Sequence, residues 1–304
     1  MLRLLLELGP CLLTGLWLSG RHPDLPERLA PLLLRWGVPI SLVGLLLKAG
    51  LQPASVQVML LTLAVSGGGL LLSCGCPALR RWLPQRSLQL GAVVGNTAYF
   101  GLPVAIALLP APALSYSITY DLVGTLITWS LGPLLLNDDA RQQHQRWQIL
   151  WNSPVCRAVL VAIPLALSPW GHGIGSLLWW PARLVLLLML LLVGMRLGLL
   201  RQQMEQTDPH AGAAAPLAPA LLLKLLALPA VVLLLCQVLG LVGLVRDAVV
   251  LQAAAPTAMS VLLLAEASQQ KGRETIPAGR LVLWSTLLAL LSVPLWWWLL
   301  TQLG

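Results

Sequence analysis

"GNTAYFGLP", residues 95–103, lies inside one of the most apolar parts of the chain, and its reading decides the fold. It sets Gly95, Asn96, Thr97, Gly101 and Pro103 where a continuous membrane helix would be smooth. Glycine loosens a helix, and proline removes a backbone donor and clashes with the preceding turn. A break of this kind in the middle of an apolar run demands a partner for the backbone groups it frees.

The surroundings of that stretch identify the solvent. Of 304 residues, 58% are hydrophobic and only 10% charged, with a mean hydropathy of +0.82. Soluble domains carry about 25% charged residues. Apolar runs long enough to cross a bilayer recur from end to end. Leu and Ala dominate, Phe occurs once, and the alternating pattern of a membrane barrel is missing. The spans are therefore expected to be helices, which satisfy their own backbone in lipid. The formal charge of +8 sits in short loops rather than on a stripe, which argues for membrane orientation and against nucleic acid. Five cysteines match no zinc spacing, and no metal site or cofactor is expected. The N-terminus, with Arg3 and an interrupting Glu7, reads as a first span rather than a cleaved signal.

Ten spans are expected, at 3–20, 29–48, 54–75, 88–109, 113–136, 154–169, 176–199, 217–240, 246–267 and 279–301. Lys and Arg set their direction. With the N-terminus outside, twelve fall on cytoplasmic loops: Arg21, Arg28, Arg80, Arg81, Arg86, Arg141, Arg146, Arg196, Arg201, Lys271, Arg273 and Arg280. Four fall outside, namely Arg3, Lys48, Arg183 and Arg246, and Arg35, Arg157 and Lys224 lie within spans. Both termini are expected outside a cell membrane. Trp179, Trp180 and Trp296 to Trp298 are expected as interfacial anchors on that side.

Five spans per half is an odd number, so a duplicated unit would insert its second copy inverted. The halves divide at 1–152 and 153–304. "VGLLL" at 43–47 and "VGMRL" at 193–197 end the second and seventh spans. The fourth and ninth spans are both expected to be interrupted, at Pro103 and, in "LQAAAPTAMSVLLLAE" (251–266), at Pro256. Pro39, Pro164, Pro229 and Pro294 read as ordinary kinks. Paired breaks in the two halves point to a solute site near the bilayer midplane, where half-helix N-termini offer free N–H groups to an anion.

"GNTAYFGLP" together with "APTAMSVLLLAE" resembles the auxin efflux carrier family of permeases, within the bile acid symporter-like superfamily of inverted-repeat transporters. The eighth-span stretch "LLLKLLALPAVVLLLCQVLG" (221–240) and the ten-span layout extend the resemblance over nearly the whole chain. It implies ten helices in two inverted five-helix repeats, with broken helices 4 and 9 crossing beside the solute. Asn96, Thr97 and Pro103 match the first crossing segment, and Pro256 and Thr257 the second. Tyr99, Gln252 and Ser260 are candidate lining residues. The resemblance also implies a homodimer through helices 2 and 7. The chain lacks the long cytoplasmic loop of the plant auxin exporters, so a small organic anion other than auxin is the expected solute.

Asp121, in "SYSITYDLVGTLITWS" (115–130), is expected midway along the fifth span, either to couple protons or to bond the broken fourth helix. Glu266 reads as interfacial, Glu7 and Arg35 as a pair or as snorkelling groups, and Lys224 as snorkelling to the cytoplasmic end. Two rival functions remain open. "NDDARQQ" (137–143) holds adjacent Asp138 and Asp139, whereas a magnesium-diphosphate prenyltransferase needs carboxylates about four apart. No paired catalytic residues appear, so the chain is read as not an enzyme. A receptor that keeps a transporter fold without transporting is the other rival.

Overall fold

The computed structural model describes residues 2–50, 52–136, 154–206, 217–268 and 270–303. The described residues are helical throughout and contain no strand beyond one isolated bridge. The helices are α1 (Leu2–Ser19), α2 (residues 25–49), α3 (Ser55–Gly75), α4 (Pro77–Trp82), α5 (Arg86–Gly91), α6 (Thr97–Leu108), α7 (Ala113–Leu136) and α8 (Pro154–Leu167). They continue with α9 (Gly171–Gln206), α10 (Ala218–Val238), α11 (Leu244–Ala253), α12 (Met259–Ala267) and α13 (Lys271–Gln302). Five of them, α2, α3, α9, α10 and α13, are long and apolar enough to cross a membrane. This is a membrane protein.

Four helices contain a π turn: Leu33–Gly37 in α2, Leu63–Gly67 in α3, Thr97–Gly101 opening α6, and Leu223–Ala227 in α10. Three of the four end two residues before a proline, namely Pro39, Pro103 and Pro229. A proline has no N–H for the carbonyl four residues back and its ring crowds that carbonyl; a wider turn takes up the misfit without ending the helix. In α10 the carbonyl orphaned by Pro229 is that of Leu225, and the Trp296 indole N–H donates to it at 2.9 Å. Trp296 is accordingly buried, which corrects its expected role as a lipid anchor; Trp180 and Trp298 are the exposed ones.

The helices pack in two groups. In the first, α9 lies between α1 and α2, and α8 packs on α2. Glycines allow these backbones to close up. A methyl on Gly15 of α1 would stand 2.3 Å from the Leu191 carbonyl, one on Gly194 2.5 Å from the Leu12 carbonyl, and one on Gly175 2.6 Å from the backbone of Leu47 and Lys48. Gly194 and Gly198 form a small-xxx-small pair, the spacing that lets membrane helices approach closely. The same close packing fits a helix that begins at Gly171 rather than near 176: Gly171 and Gly175 are both contact residues. The second group contains α3, α5 to α7 and α10 to α13. The groups meet where α6 and its π turn touch α1 and α9, where α2 packs on α7, and where α9 packs on α13.

Arg246 ties the ends of the second group together. It pairs with Asp247 at 2.9 Å and donates to the carbonyls of Leu300 and Leu303 at the end of α13. The side chain of Glu7, and so its pairing with Arg35, lies outside the described residues, as do Asp138, Asp139, Arg141 and Arg146.

Candidate binding site at the helix crossing

The two breaks meet. Residues 92–96 separate α5 from α6, and residues 254–258 separate α11 from α12. The Asn96 N–H donates to the Pro256 carbonyl at 2.6 Å, and the Ala258 N–H donates to the Val94 carbonyl at 3.1 Å. Between these two bonds, Gly95 and Thr257 face each other as an antiparallel bridge. A pair flanked in this way is the close type, with Cα atoms about 4.5 Å apart. The unwound backbone of each half is therefore satisfied by the other half, inside protein rather than lipid.

The position of the first break differs from the expected one. Pro103 does not interrupt the span. It sits at the second residue of the helical turn Leu102–Leu108, where its missing N–H is absorbed by the π turn ahead of it. Val93 to Asn96 form the break itself. Pro256, by contrast, lies in the middle of its break and supplies the carbonyl that Asn96 uses.

Each remaining end at the crossing has a named partner. The Thr257 hydroxyl donates to the Gly91 carbonyl that closes α5, at 2.9 Å, and the Thr257 N–H donates to the Ser285 hydroxyl of α13 at 3.0 Å. In the other half, the Thr97 hydroxyl donates to the Asp121 carboxylate of α7 at 2.5 Å. Asp121 is thus a partner of the broken fourth helix, one of its two expected roles. The Asn96 side chain caps α6 by accepting from the Tyr99 N–H at 3.4 Å. Asn96, Thr97, Gln252 and Thr257 are buried within a few residues of the crossing, and the buried Asp121 reaches it through Thr97.

Lys224 is the residue that sequence reading misplaced. It does not snorkel: it is fully buried, in the π turn of α10, and its Nζ donates to the Ala253 carbonyl that ends α11 at 2.8 Å. A methyl on Gly95 would stand 3.1 Å from that Nζ, so the ammonium lies against the crossing. The available signal was Pro229, five residues on: the wide turn it imposes swings Lys224 inward, away from the helix end.

Gln252 has the opposite character. It is 1% exposed, yet neither its amide oxygen nor its amide nitrogen has a hydrogen-bond partner among the described residues. Its amide lies against Gly101, where a methyl would meet Oε1 at 2.2 Å. A buried amide group without a partner costs about 1–3 kcal/mol unless a water or a ligand receives it. Tyr99 and Ser260 are only partly buried. Tyr99 points to the first group of helices, packing on the cluster of Ala30, Val38, Met189 and Leu192. Ser260 stands in the first turn of α12. Among the described residues no group of His, Cys, Asp or Glu is arranged to hold a metal ion.

The family model described as membrane transport protein matches residues 182–297, a stretch that includes Lys224, Gln252 and the second break. The match covers a little over a third of the chain and shows a likeness to membrane transport proteins over that stretch. No curated protein matches the chain.

Proposed function

We propose that the chain is a permease of the auxin efflux carrier kind, a secondary carrier that moves a small organic anion by alternating access, in line with its likeness to membrane transport proteins over residues 182–297. The observation that carries this reading is the Gly95–Thr257 bridge, with the unpartnered Gln252 amide beside it. Two short helices, α6 and α12, start at that bridge, and their N-termini present positive dipole ends to one region. Asn96, Thr97, Tyr99, Gln252, Thr257 and Ser260 form the solute site, with Pro103 and Pro256 shaping it. Lys224 places an amine donor directly behind the crossing, held by the Ala253 carbonyl. Asp121 carries the coupling proton, and its bond to Thr97 links protonation to the position of α6.

The same reading extends to the architecture: ten spans in two inverted repeats, 1–152 and 153–304, with both termini outside the cell membrane. In its favour, α3 and α10 each carry a mid-helix π turn, and each break is followed by a half-helix and then a long helix whose side chain bonds back to the break.

The test is solute flux in liposomes containing the purified protein, with a panel of mono- and dicarboxylates and with or without a proton gradient. Asn96→Ala and Gln252→Ala are expected to lower flux at least tenfold, as loss of a ligand hydrogen bond in a dry site does, while both variants still fold. Asp121→Asn retains an oxygen for Thr97 and is expected to transport without responding to the gradient. Unchanged flux in Asn96→Ala and Gln252→Ala would refute the site, and gradient-driven flux in Asp121→Asn would refute the coupling.

A further inference from the structure

The joint between α3 and α5 carries charge and apolar surface together. α3 is long and apolar enough to cross a membrane, and Leu71 and Leu72 near its end are exposed, so that end meets lipid. At Cys76 the backbone turns extended, with φ −81° and ψ 117°, and Pro77, suited to a first helical position, starts α4. Leu79 of α4 and Leu83, which ends it, lie one turn apart and share its inner face. Leu83 is fully buried with Leu88, Ala92, Ala220 and Leu281, and its carbonyl accepts from the Gln89 amide at 2.8 Å. Between the two leucines, Arg80, Arg81 and Trp82 cover the outer face and are exposed, Trp82 by 63%. Among the described residues neither arginine forms an ion pair.

An indole favours the headgroup level, where its ring meets acyl chain and its N–H meets polar groups. A guanidinium at that level matches phosphate with its planar fork. An apolar anchor and two cations together are the pair of signals that hold a segment to an anionic bilayer surface. We propose that α4 lies in the headgroup layer and binds anionic phospholipid, with Arg80 and Arg81 on the phosphates and Trp82 at the acyl boundary. A nucleic acid or an acidic protein fits less well, because either would approach from water, whereas the lipid-facing Leu71 and Leu72 lead directly up to α4. Since Leu83 packs with residues of α5, α10 and α13, lipid bound on α4 fastens the group of helices that holds the crossing to the membrane surface.

The experiment uses the full chain, stripped of lipid in neutral detergent and titrated with phosphatidylglycerol or phosphatidylcholine under native mass spectrometry. The unaltered chain is expected to prefer phosphatidylglycerol, and Arg80→Gln with Arg81→Gln should cut that preference about twenty-five-fold, since each arginine near a surface contributes about fivefold toward anionic lipid. Arg21→Gln with Arg28→Gln removes the same charge from another loop and should change the preference by less than about twofold. In phosphatidylglycerol bilayers, a bimane on Trp82→Cys, in a background without native cysteines, should be quenched by a headgroup nitroxide and shielded from an aqueous quencher. Equal affinity of the unaltered chain for the two lipids overturns the proposal, a result that needs no variant to fold. So does an equal loss in the Arg21→Gln/Arg28→Gln variant, which would put the selectivity in diffuse charge, or a bimane open to the aqueous quencher. None of these outcomes bears on solute flux, so this surface and the crossing stand or fall separately.

Discussion

At the residue scale, Gly101 and Gln252 make the sharpest pair. Gly101 has no positive φ to explain it; it is glycine because the Gln252 amide occupies the place of a side chain. Gly101→Ala should therefore push the amide away and cost about 1–3 kcal/mol, the usual price of overpacking a core. Removing the obstacle in Gly101→Ala/Gln252→Ala should restore the melting temperature but leave flux as low as in Gln252→Ala alone. Melting curves and liposome flux on the three variants check this. Full recovery of flux in the double variant would reduce Gln252 to a packing residue. Sequence alone nominated Gln252, but it gave no hint of this contact, because the two residues are brought together only by the crossing.

At the element scale, the π turns decide where polar groups go. Pro229 orphans the Leu225 carbonyl, and Trp296 repairs it from another helix. Trp296→Phe keeps an aromatic ring but loses both the donor and the pyrrole half of the indole, so about 1–3 kcal/mol for the bond adds to the cost of lost packing. Pro229→Ala returns an N–H to Leu225 within α10. In that background the cost of Trp296→Phe should fall by about the bond's share, a coupling that a double-mutant cycle measures directly. Equal costs in both backgrounds would mean that the indole bond contributes nothing beyond packing.

This scale also separates what the sequence could tell from what it could not. Helices at the expected runs, and a pair of interruptions near Asn96 and Pro256, follow from length, hydropathy and the placement of Gly, Asn and Pro. The break at 92–96 rather than Pro103 does not, because a proline near a helix start is tolerated and only the cross-pairing with 256–258 selects the unwound residues. Lys224 was missed for a related reason. A lysine in an apolar run reads as snorkelling unless the α10 turn and the free Ala253 carbonyl are known to meet.

At the scale of the whole molecule, alternating access requires the group holding the crossing to move against the group built on α1, α2, α8 and α9. The contact between them includes Tyr99, which packs on the cluster that Met189 and Leu192 of α9 form with Ala30 and Val38 of α2. Within the first group, Gly44 of α2 meets Leu178 of α9 closely, a methyl on Gly44 falling 2.9 Å from the Leu178 Cβ. Two engineered disulfides in a background without native cysteines then separate movement from rigidity. Tyr99→Cys with Leu192→Cys joins the two groups, and oxidation should abolish flux until a reductant is added. Gly44→Cys with Leu178→Cys joins two helices of the same group, and oxidation should leave flux within about twofold, since a link inside a rigid body removes no motion the carrier needs. Flux that persists with the first disulfide fully formed would show that solute crosses without relative motion at Tyr99, and the alternating-access reading would have to give way to a fixed channel beside the crossing.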